Sequence, residues 1–400
     1  MNQYMKRLAG WTAIILLAVA LTACGSSGQS AGGETSAANP PEAAQEPASA
    51  GEPSGEAEAP KTVVDQSGRE VVLPDEINRV VMTALPFPSI YAITGEPVSK
   101  VTGMHPGSKG AIENSIMGIM YPELLDVESG FIEGTDINME ELLKLNPDVV
   151  FYWADYANQT KQFDDAGITA IGVNTQGNGD ALLTLQTWLE IMGDVFGQQD
   201  QVGAVIDYGR EITTEITGKV ADIPESERQR GLFLFHHSSE EIVVPGTGHY
   251  GDYWIEGTGG INVAKEIDVT APVNMEQIYQ WNPEVIYISS FTTTVPEDLF
   301  NNTISGQDWS QVDAVKNGRV YKEPVGVYRW YPPSGDAPLM LKWMANHQYP
   351  DLFSYDMEAE VEAYYKRFYD FELTEDEVLW ILNPLREAAD GTSGLSRQRR

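Results

Sequence analysis

The sequence predicts an α/β protein made of two similar halves with mostly parallel sheets, joined by one long helix. Three observations lead there. A short pattern occurs twice at the same internal interval, as Asn138-Met139-Glu140 with Asn146-Pro147-Asp148-Val149 and as Asn274-Met275-Glu276 with Asn282-Pro283-Glu284-Val285. Each copy runs on into an apolar stretch, 149–153 and 285–288. Midway between them, Val202, Val205, Ile206, Ile212, Ile216 and Val220 recur at helical spacing behind Asp200, a suitable N-cap. A helix of that extent reaches about 33 Å, the width of a small domain. Gly203, Gly209 and Gly218 make it intrinsically weak, so packing against both halves must hold it. An ordinary crossover helix within one sheet is the competing reading. Finally, short apolar runs alternate with helical patterns on both sides, the mark of parallel sheets.

The first half is placed at 61–199. Segments 62–65 and 70–73 flank Gln66-Ser67-Gly68-Arg69, a hairpin signal that ends at Pro74. Strands follow at 80–83, 101–104, 149–153 and 169–173, with helices at 86–93, 139–145, 156–166 and 180–196. In such sheets ligands bind beyond the carboxyl ends of the strands, which here are 84–87, 104–109 and 153–156. Phe87, Trp153 and Tyr156 are therefore candidate contacts. Trp153 has two readings, a stacking platform for a planar ligand and a cap on the core of its own half.

The linking helix is placed at 200–222 and the second half at 223–387. A strand at 232–235 ends in His236-His237, a second lies at 242–244, and the loop 245–250 carries His249 and Tyr250 ahead of a helix at 252–256. Three of the five histidines thus fall near strand ends, yet neither a Cys cluster nor a His-x-x-x-His spacing supports a metal site. His249 is the one residue retained as a candidate metal ligand. Phe291 follows the repeated strand. Tyr328-Arg329-Trp330-Tyr331 forms an aromatic loop whose exposure would be costly, with Arg329 the one guanidinium among the rings. Two readings remain for it, a cleft surface for a large flat ligand and local packing. Helices at 336–347, 357–368 and 378–385 close the chain, the last behind a Thr374–Glu377 capping box.

Both termini read differently. Lys6 and Arg7 precede a mostly apolar 8–21, a secretory signal covering 1–23. Leu21-Thr22-Ala23-Cys24 resembles the bacterial lipobox, and Cys24 is the only cysteine in the chain, so lipidation of Cys24 is the expected membrane attachment. Residues 24–60 are nearly all Gly, Ser, Ala, Pro and Glu, a disordered tether long enough to cross a thick Gram-positive wall. Residues 388–400 form a disordered basic tail. With 25 basic and 59 acidic residues the net charge of -34 argues against nucleic acid as a partner. Gly-x-Ser-x-Gly, His-Glu-x-x-His and phosphate-loop motifs are absent from the sequence, so no enzyme class is supported.

Thr62-Val63-Val64-Asp65, Gly68-Arg69, Leu73-Pro74, Arg79-Val80-Val81, the duplicated Asn-Met-Glu unit, the mid-chain helix and the late Gly318-Arg319-Val320-Tyr321 together resemble the substrate-binding lipoproteins of ABC importers for iron-siderophore, haem and cobalamin. The resemblance spans about 61–385. It implies two Rossmann-like lobes rigidly bridged by one helix, a ligand clasped between them, and a monomer without a resident cofactor. It also implies that Glu140 and Glu276 project beside the cleft mouth and pair with arginines of a permease dimer that works with its ATPase. A ferric siderophore is the expected ligand, with haem, cobalamin or another metal chelate as alternatives, because the candidate residues include many aromatics and few cations.

Overall fold

The computed structural model describes residues 60–389. The signal segment, Cys24, the tether as far as residue 59 and the tail from residue 390 lie outside the described residues. Among those described, no helix is long and apolar enough to cross a membrane.

Two four-stranded sheets organise the chain. The first has the order Val101–Met104, Val80–Met82, Val149–Trp153, Ala170–Val173, with every pairing parallel. In the second, Ile261–Asn262, Arg230–Leu234, Val285–Ile288 and Val320–Lys322 lie side by side, again all parallel. The repeated strand holds the same place in both, flanked by the first and last sheet strands of its half. Each sheet is covered on both faces. Val80, Met82 and Phe151 face a large shared core while Val81, Val150 and Tyr152 face a smaller one. Likewise Phe233, Val285 and Tyr287 turn to the shared core, and Leu232, Leu234, Ile286 and Ile288 to the opposite side. This alternation is the two-residue period of a strand acting on near-continuous apolar runs.

The repeat is a helix framed by caps. Asn138 Oδ1 accepts from the Glu140 and Glu141 amides at 3.1 and 3.2 Å, starting the helix Met139–Lys144. Asn274 Oδ1 accepts from the Gln277 amide at 3.0 Å and starts Met275–Trp281. Asn146 and Asn282 then adopt φ of 47° and 41°, left-handed conformations that Asn tolerates better than most residues, and the following proline stops the helix. The acid after the proline reaches back to the first sheet strand. Asp148 Oδ2 accepts from Asn78 and Arg79 amides at 2.7 and 2.8 Å, and Glu284 Oε2 accepts from the Arg230 amide at 2.9 Å. In return the Arg79 guanidinium caps Leu145 and Asn146 carbonyls, and Arg230 caps Trp281.

The linking helix runs Gln199–Val220, so Asp200 lies in its first turn rather than at its cap, and it buries Val202, Val205, Ile212, Ile216 and Val220 of the stripe the sequence places inward, together with Gly209. Ile206 is only half-buried. The shared core continues from the first sheet through this helix into Leu339–Gln348, Met357–Tyr369 and the second sheet. Three features differ from expectation. Residues 106–120 form two further helices, Pro106–Glu113 and Met117–Met120. His236–His237 is a separate strand in a three-stranded antiparallel sheet with Ile242–Pro245 and Thr270–Val273. The helix expected at 336–347 starts at Leu339, because Ser334 to Asp336 are folded into a buried turn.

Candidate ligand-binding cleft

At the carboxyl ends of the first sheet, Thr83, Leu85, His105, Trp153, Tyr156 and Gln159 line a cavity of ≈ 160 Å³, closed by the Ile132–Glu133 and Asp136–Ile137 hairpin. Trp153 is half-buried, edge-on to Trp188 at 5.6 Å, and Tyr156 is 40% exposed. The Gly107 amide donates to His105 Nδ1 at 2.9 Å, which places the ring proton on Nε2, and burial holds this imidazole below its ordinary pKa. Phe87 is not on this surface. It is fully buried between Phe151 and Trp188, with centroids at 5.7 and 5.2 Å, a core position that corrects its assignment as a ligand contact.

The second sheet carries a different rim. Phe235 lies at its centre, 4.9 Å from the His249 ring, 5.4 Å from Phe291 and 5.5 Å from Tyr331, with His236 beside it at 4.2 Å. Tyr250 is edge-on to His249 at 5.4 Å. The Gly251 amide donates to Tyr331 Oη at 3.1 Å, and that hydroxyl is hydrogen-bonded to His249 Nδ1 at 2.6 Å. Burial, then the neighbouring His236, pushes the pKa of His249 down to about 4. Near neutral pH it is an uncharged imidazole.

The aromatic loop corrects a second group of assignments. Trp330 and Tyr331 are fully buried, and Tyr328 and Arg329 nearly so. Arg329 does not offer its charge to a ligand. Its Nε donates to Ser290 O at 2.8 Å, its Nη2 to Ala388 O at 3.3 Å, and its guanidinium lies 4.6 Å from the Phe291 ring. The loop supports the rim from beneath, which is the packing alternative for an aromatic-rich segment. Lys109, at the end of the 104–109 segment, donates to Val127 O at 3.2 Å.

Two buried residues that sequence reasoning missed hold the loop bearing Phe291. Lys322 Nζ donates to the carbonyls of Ser289, Thr292 and Thr294, and Glu323 accepts from the amides of Ser290 and Tyr331. Burial pushes the Lys322 ammonium down and the Glu323 carboxyl up from their ordinary values, and the attraction between the two opposes both shifts. The sequence carried a faint signal, an adjacent Lys-Glu pair ending an apolar strand.

The two halves also touch away from the linking helix. Gly179, with φ +89°, packs so closely on Gly248 and His249 that an added Cβ would lie 2.7 Å from their backbone atoms. Gly335 N donates to Ser89 Oγ at 3.3 Å. Glu140 and Glu276 are exposed in the first turns of the two matched helices. Among the described residues no group of three or more His, Cys, Asp or Glu could hold a metal ion.

Comparison with known proteins places this architecture. A family model described as "Periplasmic binding protein" matches residues 128–324. The crystal structure of a periplasmic solute binding protein from Veillonella parvula superposes with a TM-score of 0.74 at 32% identity, spanning 81% of this chain and 97% of that one. Among curated sequences, the molybdate-binding protein MolA of Haemophilus influenzae is 26% identical over 334 residues, 78% of this chain and 91% of its own. An iron-uptake system-binding protein of Bacillus subtilis is 23% identical over 340 residues, 80% of this chain and 92% of its own. The chain belongs to the periplasmic binding proteins, the substrate-binding components of ABC transporters, which work with a permease and an ATPase and are not enzymes.

Proposed function

We propose that this protein captures a neutral metal chelate, a ferric siderophore first among them, between the two rims and delivers it to its permease. The chemistry of the rims carries this reading. Trp153, Tyr156, Phe235, Tyr250 and Phe291 offer apolar and aromatic surface, and the imidazoles of His105 and His249 are uncharged near neutral pH. Lys109, Lys322 and Arg329 are all engaged by backbone carbonyls, so none is poised to compensate an oxyanion. A ligand whose own chelator neutralises the metal suits such walls. The iron-uptake relative supports the same class of cargo. The Tyr331–His249 pair favours one second reading, a tetrapyrrole whose metal takes His249 Nε2 as an axial ligand.

On this reading Cys24 anchors the chain by lipid to the outer face of a Gram-positive membrane, and 24–60 is the tether. Glu140 and Glu276, one per half, dock the permease dimer. Isothermal calorimetry against a ferric trihydroxamate, haem, cobalamin and molybdate tests the cargo. Saturable binding of the trihydroxamate without binding of molybdate is expected. The reverse order would overturn the proposal in favour of an oxyanion. Cys24→Ala is expected to release the protein from the membrane fraction, and its retention there would remove the anchor.

A further inference from the structure

The cavity of ≈ 160 Å³ in the first rim has one feature its neighbours do not satisfy. Gln159, on the helix Ala157–Ala166, forms part of its wall and is only 7% exposed. Its Nε2 donates to Thr135 O at 2.8 Å, which fixes the orientation of the amide, while Oε1 has no hydrogen-bond partner. A buried acceptor left unpaired is costly, and the cost is recovered when a donor reaches it. The same wall includes His105, whose Nε2–H already faces the Gly134 carbonyl at 3.4 Å, so the unpaired group is the Gln159 oxygen. An unpaired acceptor in a small cavity matches a neutral group that donates a hydrogen bond. A carboxylate or an ether has no proton to give it.

We propose that this cavity is a specificity subsite that takes a hydroxyl- or carboxamide-bearing arm of the transported ligand, with Gln159 Oε1 as its acceptor. The inference rests on the reading that cargo lies against this rim, and it adds a requirement on the cargo's periphery rather than on its metal. Trp153 and Tyr156 at the mouth would cover the arm, and the volume admits a group of several heavy atoms. A ligand lacking the donor leaves the Gln159 oxygen unpaired, so the subsite rejects such analogues more strongly than an apolar pocket rejects a missing methylene.

The test uses two small isomers with the full chain, isobutyramide and N,N-dimethylacetamide, which share a formula but carry two N–H donors or none. The side-chain amide resonances of Gln159, assigned with Gln159→Met, report occupancy. Isobutyramide is expected to shift them saturably, and to bind roughly fivefold or more tightly than its isomer, the scale of one hydrogen bond. Gln159→Met should erase that preference, whereas Gln159→Glu, which keeps an acceptor in place, should retain it. Equal responses to both isomers, or none to either, would overturn the subsite and leave a cavity filled by solvent. Because these probes contain no metal, the result is separate from the cargo proposal. Discrimination without chelate binding would leave the subsite standing and remove the chelate, and chelate binding without discrimination would do the opposite.

Discussion

The two halves share a frame and differ in what they mount on it. In both, an Asn caps a short helix, a left-handed Asn and a proline end it, an acid binds the amides ahead of the first sheet strand, and an arginine from that strand caps the helix carbonyls. Beyond the strand ends the likeness stops. The first half offers a small cavity of mixed apolar and polar lining, and the second an aromatic cluster braced by buried charges. The frame is set by backbone hydrogen bonds that a short local pattern can supply, whereas each rim depends on partners brought from distant segments. Duplication therefore accounts for the scaffold, and divergence at strand ends for the chemistry.

The largest expected effect is at a site without a counterpart in the first half. Glu323→Ala removes the acceptor of the Ser290 and Tyr331 amides and leaves Lys322 and Arg329 without their buried counter-charge. Unfolding in urea should show a loss of about 3–5 kcal/mol, as for breaking one side of a buried ionic network. A change below about 1 kcal/mol would mean that the second rim is held by its rings alone.

Matched substitutions in the frame should be smaller and slightly unequal. Asp148→Ala removes two amide contacts and Glu284→Ala one, so losses of about 1–2 kcal/mol are expected, larger at Asp148. Asn138→Ala and Asn274→Ala should each cost about 1 kcal/mol through the lost helix cap. Equal values for the two acids would argue that the amide contacts are not what the acids contribute.

Acid should weaken the fold through its buried imidazoles. His105, His237, His249 and His347 all have pKa values below the ordinary 6.5, mainly through burial, with His249 and His347 at about 4. The unfolded chain then binds more protons than the native one between these values, so this contribution is fully present above about pH 6.5 and is lost as pH falls toward 4. His249→Gln should reduce the slope of stability against pH in that window, and an unchanged slope would assign the effect to the other three. The smallest effect is expected from Glu140→Ala with Glu276→Ala, where exposed carboxylates contribute a few tenths of a kcal/mol at most. Ligand affinity should be retained while permease-stimulated ATPase activity is lost, since charge pairs matter for steering and register across an interface. Normal stimulation would remove the docking role.

Much of the frame was legible in the sequence because its signals are local. The matched register of the two Asn-Met-Glu units, the Thr374–Glu377 capping box and the apolar stripe of Gln199–Val220 lie at the positions their spacing indicates. The rims were less legible. Phe87 looks like a ligand contact from its place after a strand, and Trp330 from the aromatic density of its loop, yet long-range packing buries both. Arg329 looks like a free cation until Ser290 and Ala388 supply its carbonyls from 39 and 59 residues away. Gln159 carries no sequence signal, because its meaning depends on the Thr135 carbonyl and a cavity closed by a distant hairpin. The antiparallel sheet was missed for the same reason, since Thr270–Val273 pairs with a strand far upstream.

The central claim is that two unlike rims on a duplicated frame face one ligand. Co-crystallisation with a ferric trihydroxamate, with anomalous scattering measured at the iron edge, tests it most directly. The account predicts one strong iron peak between Trp153 of the first rim and the His249–Phe291 side of the second. A peak confined to the outer groove between Ala181–Phe196 and the linking helix, or no peak at a chelate concentration that saturates calorimetry, would contradict it.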